Sequence, residues 1–299
     1  MGIISRSESA MIRMTFLLRI FVSLLVFVAL PTLASKPLSV IHPDRPSAID
    51  ARYDYQIKLL KLALEKSGIA YQMRPSKIKM EQGRTLLQLE RGQDIDVVWS
   101  MTSREREQRL RPIRIPIDKG LIGYRVFLVK HEHLKKFAQV HTLDHLRRFE
   151  AGQGSHWPDT RILQANGLNV YGATVYENLF NMLEAERFDY FPRSITEVWD
   201  EIQAHPGRGF TIEPTILLSY PAAAYYFVNK ENRELAQAIE AGLRQAIRDG
   251  SFDQLFNEYY GECVRKADLR QRKVIRLRNP LLPDETPLLQ QQLWFRPLD

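Results

Sequence analysis

Few residues in this chain have the types and spacing that catalysis needs. His131, Glu132 and His133 are consecutive, which is not the i, i+4 helical pairing that holds zinc, so they read as exposed loop residues. The sequence has no Gly-x-Ser-x-Gly elbow, no phosphate-cradling Gly-x-x-x-x-Gly-Lys loop and no dinucleotide glycine pattern after a strand. The single cysteine, Cys263, cannot close an internal disulfide, and its place late in a helical stretch reads as a structural thiol. Glu213, His156 and Asp189 are the only acids or bases that stand out for proton transfer. The expectation is therefore no catalytic residue, no metal and no cofactor. Gly154-Ser155-His156, ahead of a helix, can offer backbone N–H groups to an anion; it can equally be an ordinary loop with Pro158 near the helix start. Trp157 beside it either stacks on a ligand or fills a core, and Asp159 reads as an N-cap.

The surrounding pattern alternates strands and helices. Leu38–Ile41, Ala70–Met73 and Ile95–Trp99 read as strands. Between them, Tyr55–Lys66 and Met80–Glu90 read as helices ended by Gly68 and Gly92. A β-α-β-α-β order predicts a parallel sheet covered by helices. Ile113–Ile117 and Tyr124–Val129 follow as strands. A second set runs through strands at 168–171 and 188–191. Its helices are expected at 175–187, with Thr174 as N-cap and Glu177 closing a capping box, and at 195–204, with Ser194 as N-cap. A long helix is expected over Arg233–Arg248, with a further helical stretch to Tyr260. From Arg276 onward, Pro280, Pro283 and Pro287 exclude a long helix. The large apolar residues there, Trp294 and Phe295 among them, predict an extended tail anchored along the body.

At the other end, Arg13 and Arg19 precede a short apolar run, Ile20–Leu30, followed by Pro31 and the small-residue site Thr32-Leu33-Ala34. That is the form of an export signal cleaved near Ala34, and the run is too short to span a bilayer. The expected location is the periplasm, and with no cysteine at the cleavage site no lipid anchor is expected. The net charge of +7 over 299 residues falls to +5 without residues 1–34, which carry Arg6, Arg13 and Arg19 against Glu8. Charges of both signs are interspersed, so nucleic acid is a poor partner and a small anionic or zwitterionic molecule a better one.

From Leu38 to Tyr260 the order of elements resembles extracytoplasmic solute-binding proteins of the family 3 type, which serve polar amino-acid uptake. The likeness is carried by Gln93-Asp94-Ile95-Asp96-Val97-Val98 and by Met101-Thr102-Ser103-Arg104-Glu105-Arg106, similar to that family's Thr-x-Glu-Arg turn. It continues in Gly123–Lys130, in Arg187-Phe188-Asp189-Tyr190, and in Tyr226–Lys230 with Asp249-Gly250-Ser251-Phe252. The segments 151–160 and 188–193 also resemble a less characterised branch of the same superfamily.

The resemblance implies a bilobal periplasmic-binding-protein fold of type II, with two α/β lobes joined by a two-strand hinge. It implies a signal peptide at 1–34, lobe 1 at 36–121 and 226–299 including the tail, and lobe 2 at 122–225, crossing near 120–123 and 219–225. A ligand in the cleft would favour closure. By the same resemblance Arg106 grips a ligand carboxylate, as a planar guanidinium fork suits. Thr102 and Ser103 either offer hydroxyls to it or cap the helix that starts at Arg104. Tyr53, Tyr55 and Arg52 follow the first strand, where the family places an aromatic wall; Tyr55 equally fits the first turn of a core helix, and Trp99 is a further ligand-binding candidate. Ser155, His156 and Trp157 face them from lobe 2. Arg193 departs from the family, which often has an aspartate there for an α-ammonium; an arginine attracts an anion instead. The implied function is binding of a small anionic or zwitterionic solute, an amino acid or organic acid, by a monomer that delivers it to an ABC-type transporter. The alternatives are a ligand-sensing partner of a membrane receptor, or a periplasmic enzyme on the same fold.

Overall fold

The computed structural model describes residues 36–45 and 53–296; the expected export signal and Arg52 lie outside them. No helix among the described residues is long and apolar enough to cross a membrane. In chain order the first elements are β1 (Leu38–His42), α1 (Asp54–Ser67), β2 (Tyr71–Pro75), α2 (Gln82–Glu90), β3 (Val97–Met101), α3 (Arg104–Arg109) and β4 (Arg111–Ile113). A second set follows: β5 (Tyr124–Lys130), α4 (Leu134–Phe137), α5 (Leu143–Leu146), β6 (Glu150–Gly154), α6 (Pro158–Ala165), β7 (Asn169–Ala173), α7 (Tyr176–Glu184), β8 (Phe191–Ser194), α8 (Val198–Ala204), β9 (Phe210–Ile212) and β10 (Ile216–Ser219). The chain then returns through β11 (Ala224–Val228), α9 (Arg233–Arg248), α10 (Ser251–Ala267) and β12 (Lys273–Arg276).

Helix α1 forms because Tyr55, Leu59, Leu60, Ala63 and Leu64 repeat at helical spacing and are all buried, and Gly68 ends it in the left-handed region. β1 and β2 are parallel, in register from Leu38 opposite Tyr71. β3 does not extend that ladder. It pairs antiparallel with β11, which also takes β4. The Asp96 carboxylate accepts from the Ile41 N–H, and the Asp96 N–H donates to the Ile41 carbonyl, both at 2.8 Å, so a side chain replaces the expected ladder between β1 and β3. β4 ends at Ile113 rather than Ile117; the Ile115 N–H turns back to the Ile113 carbonyl, so the chain leaves the ladder there. In the second set, β12-β10-β5-β8 form one sheet with β9 also on β5, and β6-β7 form a parallel pair tied to it by a bridge from Ala151 to Tyr190.

Other local expectations shift, and the strand expected at 188–191 is β8 at Phe191–Ser194. Ser194 closes β8 instead of capping a helix; its hydroxyl accepts from the Thr196 N–H, and α8 starts only at Val198. The N-cap of α7 is Val175 with no side-chain cap, and Glu177 instead pairs with His205. The two passes between the sets touch each other. The Tyr220 N–H donates to the Gly123 carbonyl, and a Cβ on Gly123 would lie 2.2 Å from the Tyr220 carbonyl oxygen, so only glycine fits there.

Candidate functional site

Between the two sets of elements lies a cavity of about 670 Å³. Five of the predicted residues line it: Tyr55, Trp99, Arg106, Trp157 and Arg193. Ser155 and His156 instead line a pocket of about 20 Å³ beside it, with Gln82 and Gly83. Thr102 and Ser103 line neither. The Thr102 hydroxyl donates to Glu107, and Ser103 caps α3 by accepting from the Arg106 N–H.

Arg106 sits on the buried side of α3. Its Nη1 donates to Ser100 Oγ and the Met101 carbonyl at 2.5 and 2.6 Å. Its Nη2 donates to Gln82 Oε1 at 2.9 Å and, across the cavity's edge, to the His156 carbonyl at 3.0 Å. All four acceptors are neutral. Burial lowers the guanidinium to about 10, so it remains charged at neutral pH.

Arg193 has a different setting. At 2% exposure, its Nε donates to both Glu201 oxygens at 2.9 and 2.8 Å and its Nη2 to Glu201 Oε1 at 2.5 Å. Glu197 lies 3.1 Å from the same Nη2. The guanidinium also stacks near the Trp157 and Phe191 rings, 4.9 and 4.7 Å from their centroids. Burial alone would lower this group; Glu197 and Glu201 outweigh that and raise it. Arg125, which the sequence reading missed, pairs with Asp159 at 2.6 Å and Glu197 at 3.5 Å. Asp159 also accepts from the Tyr220 hydroxyl, so it is a buried ion-pair partner rather than an N-cap. A lone arginine opening the apolar run Val126-Phe127-Leu128-Val129 was the available signal.

Other predicted groups resolve as follows. Tyr55 donates its hydroxyl to the Ile117 carbonyl at 2.5 Å, while Trp99 meets Tyr53 edge-on at 5.1 Å, an aromatic wall. Gly154 makes room for the Trp157 indole, which a Cβ would approach to 2.5 Å, and the Ser155 N–H is already spent on the Ala173 carbonyl. Asp118 lines the cavity and accepts from the Gly120 and Ile122 N–H groups at 3.0 and 2.8 Å, yet burial raises it to about 6. Glu213 and Asp189, two of the three acid–base candidates, lie off the cavity and cap backbone N–H groups: those of Thr215 and Ile216, and that of Glu150. His133 is buried rather than exposed. It gathers with Glu132 and Glu186 within 4.8 Å, where Lys130 Nζ bonds both carboxylates at 2.6 and 3.0 Å. Cys263 lines the cavity half-buried, and burial raises its thiol.

Four lining side chains carry a buried polar atom without a hydrogen-bond partner: Gln56 Oε1, Arg125 Nε, Glu197 Oε2 and Trp199 Nε1. Such atoms are uncommon in folded proteins.

No protein-family model and no curated protein matches the sequence. Solved structures do match in shape. An ancestral arginine-binding protein bound to arginine superposes with a TM-score of 0.57 at 18% identity, over 76% of this chain and 100% of that one. A Salmonella typhimurium periplasmic binding protein of high arginine specificity gives 0.54 at 16%, over 76% and 100%. A histidine kinase sensor domain with similarity to periplasmic binding proteins gives 0.55 at 15%, over 76% and 97%. The chain has the bilobal periplasmic-binding-protein fold. β5 and β10 pair antiparallel at Tyr124 and Ser219, where the chain passes between the two sets of elements.

Proposed function

We propose that this protein is exported to the periplasm and binds a small zwitterionic or anionic solute, an amino acid or organic acid, without transforming it. Lobe 1 is taken as residues 36–121 and 226–272 and lobe 2 as 122–225, with the ligand held between them; β12, at 273–276, joins the lobe 2 sheet and the tail after it returns to lobe 1. The observation that carries this reading is the ion pairing of the three cleft arginines. Arg125 and Arg193 each have carboxylates within 4 Å. Among the described residues Arg106 has none, though it is buried and charged. A buried cation surrounded by neutral acceptors gains most from an incoming anion. In this reading a ligand carboxylate reaches its Nη2 by displacing the Gln82 side chain, which accepts from it at 2.9 Å.

The rest of the lining favours a zwitterion over a dianion. Nine acidic side chains line the cleft against five basic ones. Gln56 Oε1, a buried acceptor without a hydrogen bond, suits a ligand ammonium. Arg193, already neutralised by Glu201, holds the cleft wall in place in this reading.

Delivery to an ABC-type transporter is the role proposed. Docking on a membrane receptor is the second reading, favoured by the shared fold of a kinase sensor domain. Thermal-shift screening of amino acids and organic acids, followed by isothermal titration of Arg106→Ala, tests the binding proposal. Losing one charge-assisted contact should weaken affinity about ten- to a hundredfold. Unchanged affinity removes Arg106 from the site. Solute uptake in a deletion strain separates delivery from sensing.

A further inference from the structure

The C-terminal segment does more than lie along the body. After α10 the chain leaves lobe 1 and adds β12 to the lobe 2 side, parallel to hinge strand β10 from Ile216 opposite Lys273 to Ser219 opposite Arg276. It then makes a reciprocal pair with lobe 2: the Arg278 N–H donates to Asn166 Oδ1 at 3.1 Å, and Asn166 Nδ2 donates to the Arg278 carbonyl at 2.8 Å. Asn279 Nδ2 donates to the carbonyl of Pro221, in the hinge connection, at 2.8 Å. Two residues later it is on lobe 1. The Arg104 N–H donates to the Leu281 carbonyl at 2.9 Å, and Arg104 Nη2 meets Asp284 at 2.9 Å. Trp294 and Phe295 finish on lobe 1, with the Phe295 N–H on the Lys119 carbonyl and its ring 5.9 Å from that of Phe256.

The two anchor points matter because of what they hold. Asn166 ends α6, the helix of Asp159, and Arg104 begins α3, the helix of Arg106. These helices already meet across the cleft edge through Arg161 and Glu105 at 3.0 Å and through Arg106 and the His156 carbonyl. From residue 278 to residue 281 the chain reaches at most about 10 Å. A hinge motion that separates α3 from α6 must therefore break one anchor or the other.

We propose that residues 277–296 form a clasp that holds the lobes closed and sets how often the ligand-free cleft opens; this rests on the two-lobe binding reading above. The test uses spin labels at Arg84→Cys and Asn178→Cys, on opposite lobes, with Cys263→Ser in every sample. Double electron–electron resonance then gives the interlobe distance without ligand. Releasing both anchors with Arg104→Pro, which removes the N–H and the side chain at the first position of α3 where proline is tolerated, and Asn166→Ala should raise the long-distance, open population about three- to tenfold, as expected for the loss of a few exposed hydrogen bonds. An unchanged distance distribution in the folded double variant overturns the proposal. Amide exchange of the unaltered protein gives a second measure that needs no variant. The Arg104 and Arg278 amides should be protected like those of β12, and exchange at free-loop rates would overturn the clasp. Neither measurement uses ligand. A failed clasp thus leaves the binding reading standing, and a failed ligand screen leaves the clasp measurable.

Discussion

Replacing Arg193 by methionine should unfold the protein at a markedly lower temperature, because it strands Glu201. That carboxylate is 2% exposed, and the arginine supplies the three contacts of 2.5–2.9 Å that neutralise it. The Tyr176 hydroxyl, at 2.7 Å, remains but brings no charge. Breaking one side of a buried ion pair costs about 3–5 kcal/mol, since the partner charge stays in a low-dielectric site. For a body of this size each kcal/mol shifts the midpoint by about 2–4 °C, so the drop should be on the order of 10 °C. The double variant Arg193→Met/Glu201→Leu removes both charges at similar volume and should recover most of that loss. Differential scanning calorimetry of the two single variants and the double gives the coupling directly. A midpoint that stays put in Arg193→Met, together with lost ligand affinity, would refute this reasoning and return Arg193 to a direct role on a ligand anion.

Asp118 makes stability depend on pH. Its folded value of about 6 lies above the unfolded one of 3.8, so its contribution is fully present below pH 4 and is lost as pH rises through 6. Relative to Asp118→Asn, the protein should lose about 2–3 kcal/mol across that window, read from melts at several pH values; a constant gap between the two would count against the assignment. Gly123→Ala should destabilise by about 2 kcal/mol or more by forcing the hinge passes apart, measured by denaturant titration; a neutral effect would mean that the 2.2 Å approach to the Tyr220 carbonyl oxygen relaxes easily.

The element types were legible because helix and strand periodicities are local. Leu59, Leu60, Ala63 and Leu64 mark α1 without any knowledge of what they pack against. Export, too, was readable as an expectation, since a charged segment, a short apolar run and small residues are a linear pattern. Arg106 stood out through a short turn whose residues adjoin in the chain. Pairing did not stand out. Arg125 and Asp159 are 34 residues apart, and only the tertiary fold brings α6 and β5 close enough to set them 2.6 Å apart. Arg193 looked available for an anion because Glu201, eight residues on, faces it only once the chain turns from β8 into α8. The tail's prolines announced extended chain, but not that 273–276 would join β10 or that Asn166 would meet Arg278 across 112 residues. Sequence spacing determines which face a side chain takes within its own element. Which charge neutralises which, and therefore which arginine lacks a carboxylate partner, is decided by contacts between elements that the chain order does not specify.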